Sequence, residues 1–412
     1  MENIKSKIIN REQGINFLKR WCNQPIIKVV SGVRRSGKST LFDIFRTQLL
    51  NDGISEEQIQ TINFEDMKNH ELTDPKLLHK YILDNIVVDA MNYIFLDEIQ
   101  YVEEFEKVIN SLLLIKNTDL YITGSNAYFL RGDLATRLTG RYVEYKLLPL
   151  SFKEYYEWHR QNTDIPDAAE STKKILFEKY LQGTFPFILF LTERKQILDY
   201  LQGIYSTVVL YDIVERLSVK DVRLLERLIQ TLFSSIGSPV SINKLKNTMV
   251  SKGFSISNNT IDRYLSGILD SLIMYEARRF DIKDKALLET QAKYYAVDLG
   301  LRSLILPDHF QDYGHIIENV IYLELLRRGN EVFVGKTNNY EVDFVSVNSQ
   351  KEIEYYQVAL TTLDEAVLAR ELRSLQAIAD QYPKYLLTLD DYNQEANYAG
   401  IKKLNIINWL LG

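Results

Sequence analysis

Cysteine is almost missing from this sequence. The 412 residues hold one, Cys22, which excludes a disulfide framework within the chain and suits a reducing compartment. Cys22 itself reads as a small, partly buried apolar side chain. No run of about 20 apolar residues occurs, and the N-terminus lacks the apolar core of a signal peptide. A soluble, cytoplasmic protein with no membrane partner is expected. There is no excess of positive charge either. With 49 Lys and Arg against 55 Asp and Glu, the net charge is −6, so no basic field advertises nucleic acid. Internal repeats, low-complexity tracts and long Gly/Pro/Ser linkers are also lacking, which leaves domain boundaries to be read from motifs. What remains is 46% apolar and 25% charged, the composition of a globular protein, and long enough for two to four domains.

One motif dominates. Gly32-Val33-Arg34-Arg35-Ser36-Gly37-Lys38-Ser39 spells a complete G-x-x-x-x-G-K-[ST] phosphate loop. It follows the apolar run Ile26–Val30 and opens onto Thr40-Leu41-Phe42-Asp43-Ile44-Phe45, which reads as a helix. The motif requires this strand–loop–helix setting. Gly32 and Gly37 let the backbone curl so that amide N–H groups point at phosphate oxygens. The following helix adds its N-terminal partial positive charge. Lys38 is expected on the β- and γ-phosphates and the Ser39 hydroxyl on Mg²⁺. The residues from Gly32 through Thr40 are thus candidates for binding ATP.

Tyr93-Ile94-Phe95-Leu96-Asp97-Glu98 is the second motif. Four apolar residues read as a buried central strand, and two carboxylates stand at its end, where open α/β sheets bind ligands. Asp97 is assigned to Mg²⁺, directly or through water, and Glu98 to the attacking water. The adjacent Asp-Glu pair resembles ATPases more than GTPases, and no guanine-reading N-K-x-D signature appears.

Residues 1–148 alternate strands and helices. Strands are expected at 26–31, 59–64, 93–97, 120–123 and 142–147, and helices at 12–22, 38–50, 75–90 and 104–115. This predicts an α/β fold, a doubly wound parallel sheet with helices on both faces. The strand at 120–123 ends in Thr123-Gly124-Ser125-Asn126. Ser125 and Asn126 are candidates to bond the γ-phosphate or the attacking water, the alternative being a plain turn or helix cap.

Taken together, these motifs and the blocks Ile122–Ala127 and Leu138–Tyr155 resemble one family, the prokaryotic AAA-superfamily ATPases with a C-terminal DUF4143 region. The similarity runs nearly the full length, and the block Gly140–Tyr155 is its most specific part. The resemblance implies ATP hydrolysis with Mg²⁺ and an oligomer in which an arginine completes the neighbour's site. Arg141 is favoured over Arg137 for that role; a structural salt bridge is the alternative. Residues 149–221 would form a helical lid. Tyr180–Pro186 resembles the family's Gly-Gly-x-Pro element, with Thr184 where a second glycine is usual. Pro186 would then lie near the adenine. Glu193-Arg194-Lys195 offers a second nucleotide sensor or plain lid surface.

Residues 222–312 give helices at 222–235, 241–252 and 258–273, then two apolar stretches around Asp281–Lys285. Three helices and a hairpin form a winged helix, with Thr260–Leu269 as the reading helix and Asn258, Asn259 and Arg263 exposed if DNA is bound. Nine Lys and Arg against seven Asp and Glu over residues 235–300 leave a footprint of +2, so protein docking stays open beside DNA. Residues 313–412 resemble a restriction-endonuclease-like core. Glu318 starts the helix Asn319–Arg328, Asp343 lies on a strand, and Gln357-Val358-Ala359 stands where [EQ]-x-K is expected. Without a lysine at Ala359 the site lacks its cation. Lys336 and Lys351 are the conceivable substitutes, and the domain reads as a degenerate scaffold rather than a cutter. The resulting expectation is an ATPase that remodels or binds a partner, DNA among the candidates. The alternatives are an ATP-dependent switch docking a protein, or an ATP-gated nuclease.

Overall fold

The computed structural model describes residues 8–126, 140–162, 170–306, 312–337 and 340–412. It divides into two units, Met1–Pro149 with Asp270–Leu272, and the rest of the chain from Leu150 onward.

The first unit is built on five strands: β1 (Ile27–Ser31), β2 (Ile59–Asn63), β3 (Asn92–Asp97), β4 (Thr118–Gly124) and β5 (Tyr142–Lys146). They lie in the order β2-β3-β4-β1-β5, and each neighbouring pair is parallel. Every residue of β1, β3 and β4 is buried, which is why these strands read as apolar runs instead of alternating ones. Alternate side chains feed two cores. On one face Val30, Tyr93, Phe95 and Tyr121 pack with α1 (Glu12–Trp21) and α2 (Lys38–Asn51). On the other, Ile27, Val29, Ile94, Leu96, Leu120 and Ile122 pack with α3 (Pro75–Asp84) and α4 (Phe105–Leu112). The sheet register sets Ser31 beside Gly124 and Asn63 beside Asp97, so the C-terminal ends of four strands share one edge. This is the doubly wound parallel sheet expected from the sequence.

The second unit begins with α5 (Phe152–Asn162), α6 (Glu170–Tyr180) and α7 (Arg194–Thr207), followed by a π-helical stretch over Val208–Glu215. Next come α8 (Val222–Ser234), α9 (Ile242–Ser251) and α10 (Asn258–Asp270). The hairpin β6 (Met274–Asp281) and β7 (Ala286–Ala296) follows, then α11 (Leu299–Ile305) and α12 (Tyr313–Arg327). The rest is β8 (Glu331–Thr337), β9 (Tyr340–Val347), β10 (Ile353–Ala359), α13 (Glu365–Gln376), β11 (Lys384–Thr388), β12 (Ala396–Tyr398), β13 (Ile401–Asn405) and α14 (Ile406–Leu411). All eight strands form one mixed sheet, β12-β13-β11-β10-β9-β8-β6-β7. β6 pairs in parallel with β8 through Arg279↔Val334, Phe280↔Gly335 and Asp281↔Lys336, so the sheet crosses the boundary expected at residue 312.

One expectation needs correction here. Glu318 does not start its helix. α12 begins at Tyr313 and buries Glu318 in its second turn, with the whole run Ile317–Leu325 buried. Gly314 in the first turn, a weak helix former, hid the true start. The loop around Thr184 also has a definite geometry. Gly183 takes φ of +151°, while Thr184 donates both its N–H (2.5 Å) and its hydroxyl (2.7 Å) to Asp298, the N-cap of α11. The side chain that replaces glycine anchors the loop.

Candidate active site

The phosphate loop leaves β1 at Ser31 and enters α2 at Lys38. Its two glycines are needed for different reasons. Gly37 has φ of +100°, a conformation open to glycine at no steric cost. Gly32 is required by close approach, since a Cβ there would lie 2.3 Å from the Leu147 carbonyl oxygen. Arg35 also takes a left-handed conformation, φ +66°. No side chain caps the N-terminus of α2, so its first amides are available to an anion. The Ser36 hydroxyl is buried with no hydrogen-bond partner among the described residues. Uncapped amides and an orphaned hydroxyl around one loop fit a phosphate. Val33 is buried, Arg35, Ser39 and Thr40 are exposed, and Arg34 donates to Glu65 (2.6 Å) and to the Tyr101 hydroxyl (2.9 Å).

Lys38 is buried. Its ammonium donates to the Gly32 carbonyl at 3.1 Å and lies 3.1 Å from Glu98 Oε1. Asp97 ends β3. It accepts from Thr123 Oγ1 at 2.5 Å and from Asn63 Nδ2 at 3.2 Å. Burial raises the Asp97 pKa, and the Ser39 and Thr123 hydroxyls offset this only in part. Glu98 has φ of +56° and donates its N–H to Thr123 Oγ1 at 2.8 Å. Burial pushes its carboxyl up, but the Lys38 charge and the Gln100 hydrogen bond outweigh it and hold the pKa below the usual value. Gln100 Nε2 reaches Glu98 Oε2 at 2.5 Å and Ser125 Oγ at 3.2 Å. Ser39, which opens α2 after Lys38, and Asp97, which ends β3, are the pair suited to a hard divalent cation.

The structure therefore brings Lys38, Ser39, Asp97, Glu98 and Ser125 together. Asn126 lies half-buried two residues beyond β4. Thr123, whose hydroxyl ties Asp97 to the Glu98 backbone, and Gln100 are the residues the sequence reading passed over. A hydroxyl ending a fully buried strand was the signal for Thr123. Arg141 is exposed at the N-terminal edge of the sheet, where its carbonyl accepts from Ile27 N–H. The length of β1 separates it from the loop, roughly 13 Å at the usual strand rise, so it is on the wrong edge to serve its own site. Arg137 lies outside the described residues. Pro186 belongs to the second unit, where it opens a 3₁₀ turn, Pro186–Phe190.

A second cluster is buried in the C-terminal sheet, and here the sequence reading is corrected. The cation expected to be missing is present. Lys293, from β7, lies 2.9 Å from Glu341 and 3.5 Å from Glu318, and both Lys336 and Lys351 are displaced from the role of substitute. Glu318 also pairs with His315 at 3.3 Å and accepts from the Tyr295 hydroxyl at 3.4 Å. Asp343 accepts from the Val358 N–H at 2.8 Å. Its burial and the neighbouring Glu318 charge hold its pKa well above the ordinary carboxyl range, while His315 and Lys293 keep Glu318 low against its own burial. Gln357 donates to Glu371 (3.0 Å) and accepts from Ser374 (3.1 Å) and from the backbone N–H of Asp343 (3.4 Å). Among the described residues no group of three or more His, Cys, Asp or Glu could hold a metal ion. The Lys293 ammonium bridges the carboxylates of Glu318 and Glu341.

Comparison with known proteins agrees with the first site. Residues 24–156 match a family described as an AAA domain, and residues 173–311 match a domain of unknown function, DUF8612. A protein of Haemophilus influenzae is 38% identical over 407 residues, covering 98% of this chain and 99% of its own length. A protein of Methanocaldococcus jannaschii is 31% identical over 421 residues, covering 98% and 88%. Among solved structures, the Walker-type ATPase of Pyrococcus abyssi matches with a TM-score of 0.50 at 15% identity, over 72% of this chain and 96% of that one; this is a likeness of fold. The C-terminal match replaces the DUF4143 region that the sequence resemblance implied. The block that carried the resemblance, Gly140–Tyr155, falls inside the AAA match, so it had no power to distinguish C-terminal regions. No helix among the described residues is long and apolar enough to cross a membrane.

Proposed function

The chain, an AAA-domain protein of the P-loop ATPase class, belongs to the family of its Haemophilus influenzae and Methanocaldococcus jannaschii relatives, and we propose that it is a Mg²⁺-dependent ATP hydrolase that uses the nucleotide cycle to remodel or bind a partner. The observation that carries this reading is the convergence of Lys38, Asp97 and Glu98 at the mouth of an uncapped helix. The amides of residues 32–40 and the Ser36 hydroxyl bind the phosphates, and the Lys38 ammonium exchanges Glu98 for phosphate oxygens. Ser39 and Asp97 hold Mg²⁺, which supplies charge neutralisation on the β- and γ-phosphates. Glu98 takes the proton of the attacking water, with Asn126 or Ser125 on the γ-phosphate side. Arg141 of a neighbouring copy completes the site.

Residues 149–221, expected as a helical lid, carry α5, α6, α7 and the π-helical stretch. The three helices α8 to α10 and the β6–β7 hairpin follow the order of a winged helix, and they are joined to a restriction-endonuclease-like core by one sheet. Asn258, Asn259 and Arg263 are exposed on α10, which favours DNA as the partner. The C-terminal core is assigned a binding role; Lys293 supplies a cation there, so DNA cleavage in Mg²⁺ is the activity to test against that role.

The test is ATP turnover in Mg²⁺. Lys38→Ala should abolish nucleotide binding. Glu98→Gln should bind ATP with near-normal affinity and hydrolyse it at least about 100-fold more slowly, the usual contribution of a positioned base. Wild-type turnover by Glu98→Gln would remove Glu98 from the mechanism.

A further inference from the structure

Glu98 does not stand alone at the end of β3. Its carboxylate is held on two sides, by the Lys38 ammonium at 3.1 Å from Oε1 and by Gln100 Nε2 at 2.5 Å from Oε2. The two restraints differ in kind. Lys38 is the group that the phosphates claim, because it sits at the loop and neutralises them on binding. Gln100 has no such competitor. Its amide nitrogen is braced from behind by Ser125 Oγ at 3.2 Å, and Ser125 is fully buried. Turning the amide over would set its oxygen against a carboxylate oxygen at 2.5 Å, so the orientation is fixed by the charge it faces. The other end of that amide, Oε1, is buried without a hydrogen-bond partner among the described residues. An acceptor left open next to the base is a cost borne at a functional place rather than a packing requirement.

We propose that Gln100 is a positioning residue for hydrolysis: it keeps the Glu98 carboxylate aimed once ATP draws Lys38 away. This rests on the reading of Glu98 as the base. The left-handed backbone at Glu98, pinned by Thr123 Oγ1, fixes where the side chain starts. Gln100, bonded to Ser125, fixes where it ends. Base and γ-phosphate-side groups are thereby linked through Gln100 across the tips of β3 and β4.

Gln100→Met keeps the length and packing of the side chain and removes the donor. The expected result is a kcat lowered roughly ten- to a hundredfold, the value of one hydrogen bond to a charged group. KM and the Kd of a non-hydrolysable ATP analogue should stay within about twofold, because the interaction is absent from the nucleotide-binding contacts. A merely structural role would shift these together with thermal stability. The double variant Glu98→Gln/Gln100→Met should be no slower than Glu98→Gln alone, since residues acting through one group are not additive. Wild-type kcat in Gln100→Met, with Glu98→Gln impaired, would overturn the positioning role and leave the base intact. A further loss in the double variant would overturn it too. Full activity of Glu98→Gln would instead take away the base and the proposal with it.

Discussion

A buried lysine shows how one side chain changes the reading of a site. The helix glutamate, strand aspartate and strand glutamine of the C-terminal core were legible as a motif, and the missing cation at Ala359 was legible as well. What no spacing reveals is that Lys293, twenty-five residues before Glu318 and on a different strand, supplies an ammonium to the same place. Sequence distance carries no information about which strands a sheet sets side by side. Lys293 is 5% exposed and its carboxylate partner Glu318 is 12% exposed, so neither charge has water to fall back on. Lys293→Met should therefore cost about 3–5 kcal/mol, the penalty for breaking a buried pair and leaving its partners uncompensated. Urea unfolding measures it, and a loss below about 1 kcal/mol would mean the carboxylates find other partners. The ATPase residues were easier to read because the phosphate loop brings its ligands from consecutive positions, and Asp97-Glu98 from the end of a run that only a buried parallel strand explains.

At the level of single elements, the strands of the first unit were read within one or two residues, most plainly β1, β3 and β4, which are buried on both faces. Helix ends were less legible. The expected helix at 75–90 stops at Asp84, before a polar turn in which Asn92 and Asn117 take up the free backbone groups. The start of α12 was missed by six residues, and the anchoring of Thr184 to Asp298 was invisible because the two are 114 positions apart. The short helix α10 carries a claim of its own. Ser257 accepts from the Thr260 N–H at 3.2 Å to cap it, and Arg263 projects from it into solvent, over the Tyr264 ring at 5.7 Å. If this element enters a DNA groove, Arg263→Glu should weaken duplex binding strongly at low salt. The wild-type affinity should fall steeply as salt rises, because phosphate contacts release counterions. Fluorescence anisotropy with a labelled duplex, with and without ATP, reads both effects. No binding by the wild-type protein at low salt would turn the assignment toward a protein partner.

For the whole molecule, the position of Arg141 decides what assembly must do. It stands at the edge of the sheet opposite its own phosphate loop, so any part in hydrolysis requires a second copy. Arg141→Ala should bind ATP normally and lose roughly 10³-fold or more in turnover, the scale of an arginine finger. Mixing it with Lys38→Ala, inactive for the other reason, should restore part of the activity, because some interfaces would join an intact loop to an intact arginine. Two inactive preparations that stay inactive when mixed, or a monomer by light scattering with an ATP analogue, would exclude that role.

The pairing of β6 with β8 bears on how this chain can be cut and inherited. The DUF8612 match, residues 173–311, takes in β6 and β7 and stops short of β8. Expressed alone, such a fragment would bare the backbone of Arg279, Phe280 and Asp281 that β8 now covers, an unprotected strand edge inviting another copy to add itself. Recombination that exchanged everything beyond residue 312 would have to bring a strand able to lie along those three residues. The two halves of this sheet share one hydrogen-bonded ladder across the boundary at which the family match ends.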